Sequence, residues 1–116
     1  MDKNYLLVKK EEVLEKLKGS SLPFKIHEDI QTMNKAEVHK KAGDLWLCLE
    51  GEPTFILGGE LENPWLKDGD ENELRAESIK GGDEIVLKPG DWLWAQSGCP
   101  HQHGCKNKAV LMIIKI

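Results

Sequence analysis

The sequence predicts an all-β barrel or sandwich, and three observations carry that prediction. Roughly eight to ten short runs of aliphatic, aromatic and β-branched residues recur along the chain, each strand-sized. Turn signatures punctuate them, among them Gly51-Glu52-Pro53, Gly58-Gly59, Gly81-Gly82-Asp83 and Pro89-Gly90-Asp91. One stretch alone, residues 9–18, has helical periodicity: Val13, Leu14 and Leu17 share a stripe and Gly19 stops it.

The elements follow in order. The helix at 9–18 is a short amphipathic lid or brace. Phe24–Ile30 alternates loosely as a first strand, and Met33–Lys40 forms the next. Leu45-Trp46-Leu47-Cys48-Leu49 is apolar on both faces, so one face needs the core and the other a second sheet or subunit. Gly51-Glu52-Pro53 then turns into Thr54–Leu57, closing a hairpin. Residues 60–75 read as an irregular solvated loop. Its acidic run lacks the glycine and closing glutamate of a calcium loop, and Trp65 is expected to tuck into the core or over the barrel mouth. Short strands are expected at Ala76–Lys80, Glu84–Lys88 and Trp92–Ala95, with Ala109–Ile116 closing the sheet.

Bulk composition narrows the function classes. A chain of 116 residues is long enough for one core, so a single domain spanning 1–116 is expected, with a helical segment at 1–22 and a barrel at 23–116. Net charge is −4 and the 16 Lys and Arg are scattered rather than striped, which argues against nucleic-acid binding. No apolar run approaches the roughly 20 residues of a membrane helix. The start, Met1-Asp2-Lys3-Asn4, lacks a signal-peptide build. Cys48, Cys99 and Cys105 form no CxxC pair, and an odd count without an export signal favours reduced thiols in the cytoplasm.

Chemistry concentrates in two clusters. In a strand, Glu37 and His39 point to one side, and a carboxylate beside an imidazole can hold a divalent cation. Asp44 follows a turn at Ala42-Gly43 and can return to the same point. Pro100-His101-Gln102-His103 lies about sixty residues later and must meet the first cluster in the fold. His101 is the ligand candidate there, while His103 shares its strand parity and is assigned to the surrounding layer or to substrate. Trp46 shares the parity of Asp44 and should face the interior. Trp92, Trp94 and Gln96 share one face and are expected to wall the same cavity. His27 has no partner in the sequence and is taken as structural.

Both clusters resemble the two motifs of the cupin superfamily. The first cupin motif runs His-x-His, three or four residues, Glu, six residues, Gly. Glu37-x-His39, Asp44 and Gly51 stand at that spacing, with Glu37 in the first histidine place and Asp44 in the glutamate place. The second motif runs Gly, five residues, Pro-x-Gly, two residues, His, three residues, Asn. Gly90, Gln96-Ser97-Gly98, His101 and Cys105 match it, with Gln96 for the proline and Cys105 for the asparagine. The first motif alone is also similar to the YhcH/YiaL group of sugar-processing barrels. The cupin resemblance implies a double-stranded β-helix, or jelly-roll, barrel with one short N-terminal helix.

The resemblance further implies a metal-dependent protein with Glu37, His39, Asp44 and His101 as ligands. Two imidazoles and two carboxylates suit one divalent Fe, Mn, Zn, Ni or Co ion. The function expected is an enzyme acting on a small polar metabolite, sugar or organic acid, by isomerase, epimerase or dioxygenase chemistry. The alternative is a non-catalytic cupin that binds or senses a small ligand. The two-faced apolar strands at 45–49 and 109–116 point to a homodimer.

Overall fold

A computed structural model describes residues 4–116; Met1–Lys3, part of the start read above for an export signal, lie outside the described residues. A 3₁₀ turn, Lys10–Glu12, leads into α1 (Val13–Leu17). The strands are β1 (Lys25–Met33), β2 (Ala36–His39), β3 (Asp44–Glu50), β4 (Thr54–Leu57), β5 (Glu60–Leu61), β6 (Trp65–Lys67), β7 (Asp70–Ala76), β8 (Ile79–Lys80), β9 (Asp83–Val86), β10 (Trp92–Ala95) and β11 (His101–Lys115). Among the described residues no helix is long and apolar enough to cross a membrane.

The fold is a jelly-roll barrel organised around β11. Its 15 residues pair with β1 along one edge and with β4 and then β3 along the other, while His101 also meets Glu37 of β2. The remaining order runs β10-β3-β11-β2-β7-β6, with β9 beside β4 and a small β5-β8 ribbon. The core lies between the layers: Trp46, Cys48, Phe55, Leu57, Leu87, Ala95 and Leu111 are buried together. Buried and half-buried residues alternate strictly from Asp44 to Leu49, as a strand with one face on a core requires.

Two glycines permit close approaches. Gly51 turns with φ +78, and a Cβ there would strike the Lys108 carbonyl. Gly104 sits mid-strand where β1 bulges between Ile30 and Thr32, and its Cβ would run into the Thr32 carbonyl.

Several expectations are corrected. Gly51-Glu52-Pro53 does not close a β3–β4 hairpin; it carries the chain across the barrel, so β4 pairs with β11 and β9. Met33 ends β1, and β2 begins only at Ala36. Residues 60–75 are no loop: β6 and β7 pair within them, and Asn72 to Arg75 are half-buried despite the acidic start of β7. Ala76 belongs to β7, β9 ends at Val86, and β11 begins at His101 rather than Ala109. Trp65 does not tuck in; it lies at 42% exposure, opposite Arg75.

Trp92 and Trp94 do not wall the interior. They pair with Leu47 and Leu45 on the outer face at 67% and 45% exposure, and their neighbours Leu93 and Ala95 turn inward instead. Gln96, beyond the strand end, is exposed. On that outer face the helical segment covers one end, where Val13 and Leu14 lie beside Leu49 and Val110. The other end leaves an apolar depression lined by Leu45, Leu47, Trp92, Met112 and Ile114.

Candidate metal centre

Strand register builds the centre. Directly opposed residues of antiparallel strands share a face. His101 faces Glu37, Glu37 faces Arg75, His39 faces Glu73, and Asp44 faces Lys115. The loop before β11 is pinned to the same place, since the Gly98 N–H donates to the His39 carbonyl at 2.7 Å. Glu37, His39, Asp44 and His101 therefore come together at the inner end of a cavity of about 600 Å³, which Trp46 and His103 also line.

The donor atoms converge. His39 Nε2 lies 3.2 Å from Glu37 Oε2 and 3.1 Å from Asp44 Oδ2. His101 Nε2 lies 3.8 and 3.5 Å from the same two oxygens. Donors bound at about 2.1 Å to one ion stand roughly 3.0–3.4 Å apart; the His39 spacings fall in that range and the His101 spacings lie just above it. Glu37, His39 and His101 each give an atom within 4.8 Å of the others.

Each donor is oriented from behind. His39 Nδ1 donates to both Glu73 oxygens at 2.9 Å, and His101 Nδ1 donates to the Cys99 carbonyl at 3.1 Å. Both imidazoles thus turn Nε2 toward the centre, the outer-layer arrangement that metal-binding histidines adopt. Arg75 holds the outer oxygen of Glu37 at 3.2 Å, leaving Oε2 inward. Asp44 Oδ1 is buried with no hydrogen-bond partner, a free acceptor that a nearby cation would satisfy. Lys115 Nζ approaches from the mouth, 3.8 Å from that oxygen and 3.4 Å from His39 Nε2.

Charge is concentrated accordingly. Burial would raise the Glu37 carboxyl, but the facing imidazoles of His101 and His39 outweigh it and hold it well below the carboxylate range. Burial is likewise outweighed at Asp44, which His39 and then Lys115 lower. Asp44 and Glu37, helped by Glu73, raise His39 to about 10 against the opposing effect of burial.

His103 and His27 belong to a different group. His103 Nδ1 lies 2.8 Å from Asp29 Oδ2 and His27 Nε2 lies 2.6 Å from Oδ1, while Asn34 donates to Oδ1 at 2.8 Å. These are hydrogen-bond lengths, shorter than an intervening ion allows. His27 is thus partnered, contrary to the sequence expectation, and Asp29 is its anchor at 1% exposure. Burial opposes the Asp29 charge, but bonds from His103, His27 and Asn34 overcome it and hold the carboxyl far below its ordinary value.

Two expected outcomes follow from that anchor. Asp29→Asn should cost about 3–5 kcal/mol in urea denaturation, because one partner leaves a buried charged network. A group with a depressed folded pKa stabilises above its unfolded value near 3.9, so the Asp29 contribution should fade as pH falls below about 5. An acid-unfolding midpoint identical in wild type and Asp29→Asn would contradict it.

Local sequence pattern does not mark Glu73, Arg75 and Lys115, since the acidic stretch of β7 resembles a loop and Lys115 a closing strand end. Trp46 does face inward, at 1% exposure, with its ring 5.0 Å from His101 and 6.2 Å from His103. Among the described residues Cys48, Cys99 and Cys105 are free thiols, and none joins either cluster.

Fold comparison agrees with the barrel. No family model and no curated protein matches the chain. Among solved structures, the protein NMB1881 from Neisseria meningitidis superposes with TM-score 0.60 at 12% identity over 96% of this chain and 99% of that one. CENP-C of Drosophila melanogaster bound to CAL1 gives 0.55 at 17% identity, over 83% of this chain and 63% of that one. Hydroquinone 1,2-dioxygenase PnpCD in complex with Cd2+ and 4-hydroxybenzonitrile gives 0.59 at 15% identity, over 93% and 71%. This chain therefore spans less than two thirds of the Drosophila chain. The chain has the cupin fold, an all-β double-stranded β-helix with one short helix near its start. Its cavity holds a His/Asp/Glu group able to bind a metal ion, and a neighbour of the same fold binds Cd2+.

Proposed function

We propose that this chain is a metal-dependent cupin enzyme acting on a small polar metabolite inside the barrel. One observation carries the reading: Glu37, His39 and His101 present inward donors at ion spacing while Arg75, Glu73 and the Cys99 carbonyl hold them from outside. Two imidazoles and one carboxylate on one face form the donor set of non-haem Fe(II) oxygenases, with positions open to substrate. Asp44 is the fourth donor and adds oxygen character, favouring Fe(II) or Mn(II) over Zn(II), Ni(II) or Co(II).

A bound ion would supply Lewis acidity to a substrate carbonyl or hydroxyl, and O2 activation if it is iron. The chain's own residues do the rest. Glu73 and the Cys99 carbonyl fix the imidazole tautomers, Trp46 closes the floor against water, and His103 faces the cavity from the Asp29 network. Dioxygenase-like chemistry is supported by the fold neighbour that is a hydroquinone dioxygenase; isomerase or epimerase chemistry uses the same Lewis acidity. Fe(II)-loaded protein exposed to nitric oxide should give the high-spin iron–nitrosyl signal of an open site. A loaded protein without that signal would exclude an open coordination position and with it the enzyme reading. A binding module with no turnover is the second reading, since the CENP-C relative is described in complex with a protein.

Self-association is part of the proposal. The depression lined by Leu45, Leu47, Trp92, Met112 and Ile114 is almost wholly apolar, and a second copy would cover it. Light scattering should give a dimer at micromolar concentration, and Trp92→Glu a monomer of unchanged circular dichroism. A wild-type monomer would refute it.

A further inference from the structure

The cavity is lined by several cations in a protein that is acidic overall. Net charge is −4, yet Lys25, Lys35, Lys67, Arg75 and Lys115 line this one cavity from five separate strands or their ends. Lys35 is neutralised by Glu77, at 2.7 Å from both carboxylate oxygens, and Arg75 is tied to Glu37. Among the described residues Lys25 and Lys67 enter no ion pair.

The acids of the same cavity are already committed. Glu37 and Asp44 face the centre, and Glu73 is bound to His39. A divalent ion would cancel Glu37 and Asp44, and Arg75 would balance Glu73. Lys25, Lys67 and Lys115 are then left uncompensated at the mouth. Field lines focus in a low-dielectric cleft, so such a collar concentrates anions there.

Lys115 is the cation nearest the chemistry. Its Nζ lies within 3.8 Å of Asp44 Oδ1 and its side chain is 47% exposed, so it can swing outward when a cation fills the centre. An ammonium there would be placed to meet one oxygen of a group whose other oxygen reached an ion held by Glu37, His39, Asp44 and His101.

We propose that the site takes an oxyanion, a small molecule bearing a carboxylate or phosphate, with Lys115 as its anchor beside the metal. This rests on the proposed function for the ion but not for the charge, because the collar stays net positive without it. A neutral sugar has nothing for Lys115 to bind.

The test is calorimetric titration of Mn(II)-loaded and metal-free protein at fixed ionic strength with lactate, its neutral isostere lactamide, and inorganic phosphate. Lactate or phosphate should bind the loaded protein, and whichever binds tighter identifies the anion class; lactamide should bind at least about tenfold more weakly. Lys115→Gln should lose a similar factor, Lys115→Arg should keep most of the affinity, and Lys106→Gln, exposed and outside the cavity, should match wild type. Equal binding of lactate and lactamide, no anion binding at all, or a Lys115→Gln variant as tight as wild type would overturn the inference. If the protein fails to hold Mn(II), the proposed function fails separately. The anion preference and its dependence on Lys115 should then persist, more weakly, in the metal-free protein, and their absence there would overturn the anchor as well.

Discussion

Replacing His39 with alanine is expected to abolish metal binding and to erase the pH dependence that goes with it. Removing an outer-layer partner of a ligand typically costs about 10–100-fold in affinity, so Glu73→Gln should fall in that range and the loss of His39 itself should exceed it. The sign of the pH effect follows from the carboxylates around the ring. His39 is raised to about 10, so its imidazolium stabilises the metal-free fold fully below the unfolded value near 6.5 and loses that contribution as pH rises through about 10. An ion needs the neutral ring, so each binding event near neutrality releases about one proton. Apparent affinity should therefore climb by roughly tenfold per pH unit through the neutral range. The melting gap between loaded and chelated protein should widen with rising pH and narrow toward about pH 5. Calorimetry in buffers of different ionisation enthalpy reads the proton release directly; a value of zero would mean that His39 is not displaced by the ion.

Trp46→Ala is expected to weaken the fold strongly. The ring is 1% exposed and packs 5.1 Å from Phe55 and 5.0 Å from His101. Emptying such a site costs about 3–5 kcal/mol, a large share of what a domain of this size has. Because the ring also props His101, metal affinity should fall with stability, whereas Leu57→Ala in the same core should lower stability with little change in affinity. Urea denaturation and metal titration on both variants separate the two effects. Equal affinities in both would disconnect Trp46 from the centre.

The residues that converge in the cavity are legible in the sequence and the groups that hold them are not, for a physical reason. Glu37, His39 and Asp44 are near one another in the chain, and strand parity places Glu37 with His39 without knowledge of the fold. His101 needed only the spacing of a second motif. Glu73, Arg75 and Lys115 arrive by cross-strand register, as partners of His39, Glu37 and Asp44, and pairing between distant strands is not written in local pattern. The acidic start of β7 hid a strand whose later half is half-buried.

Parity gives relative and not absolute orientation. Trp92 and Trp94 do share a face, as expected, but the smaller Leu93 and Ala95 take the interior because Trp46 and Asp44 lie opposite them. The jelly-roll itself was legible from motif order, while the crossing at Gly51–Pro53 was mistaken for a hairpin because its turn residues serve either purpose.

Metal content tests the central claim most directly. Protein purified without added metal should carry about one transition-metal ion per chain by elemental analysis, as a single four-donor site allows. His101→Ala, folded by circular dichroism, should carry none, and chelation should lower the wild-type melting temperature near neutral pH while leaving the variant unchanged. A wild-type protein that holds no ion, takes none up on titration, and melts at the same temperature with and without chelator would contradict the account.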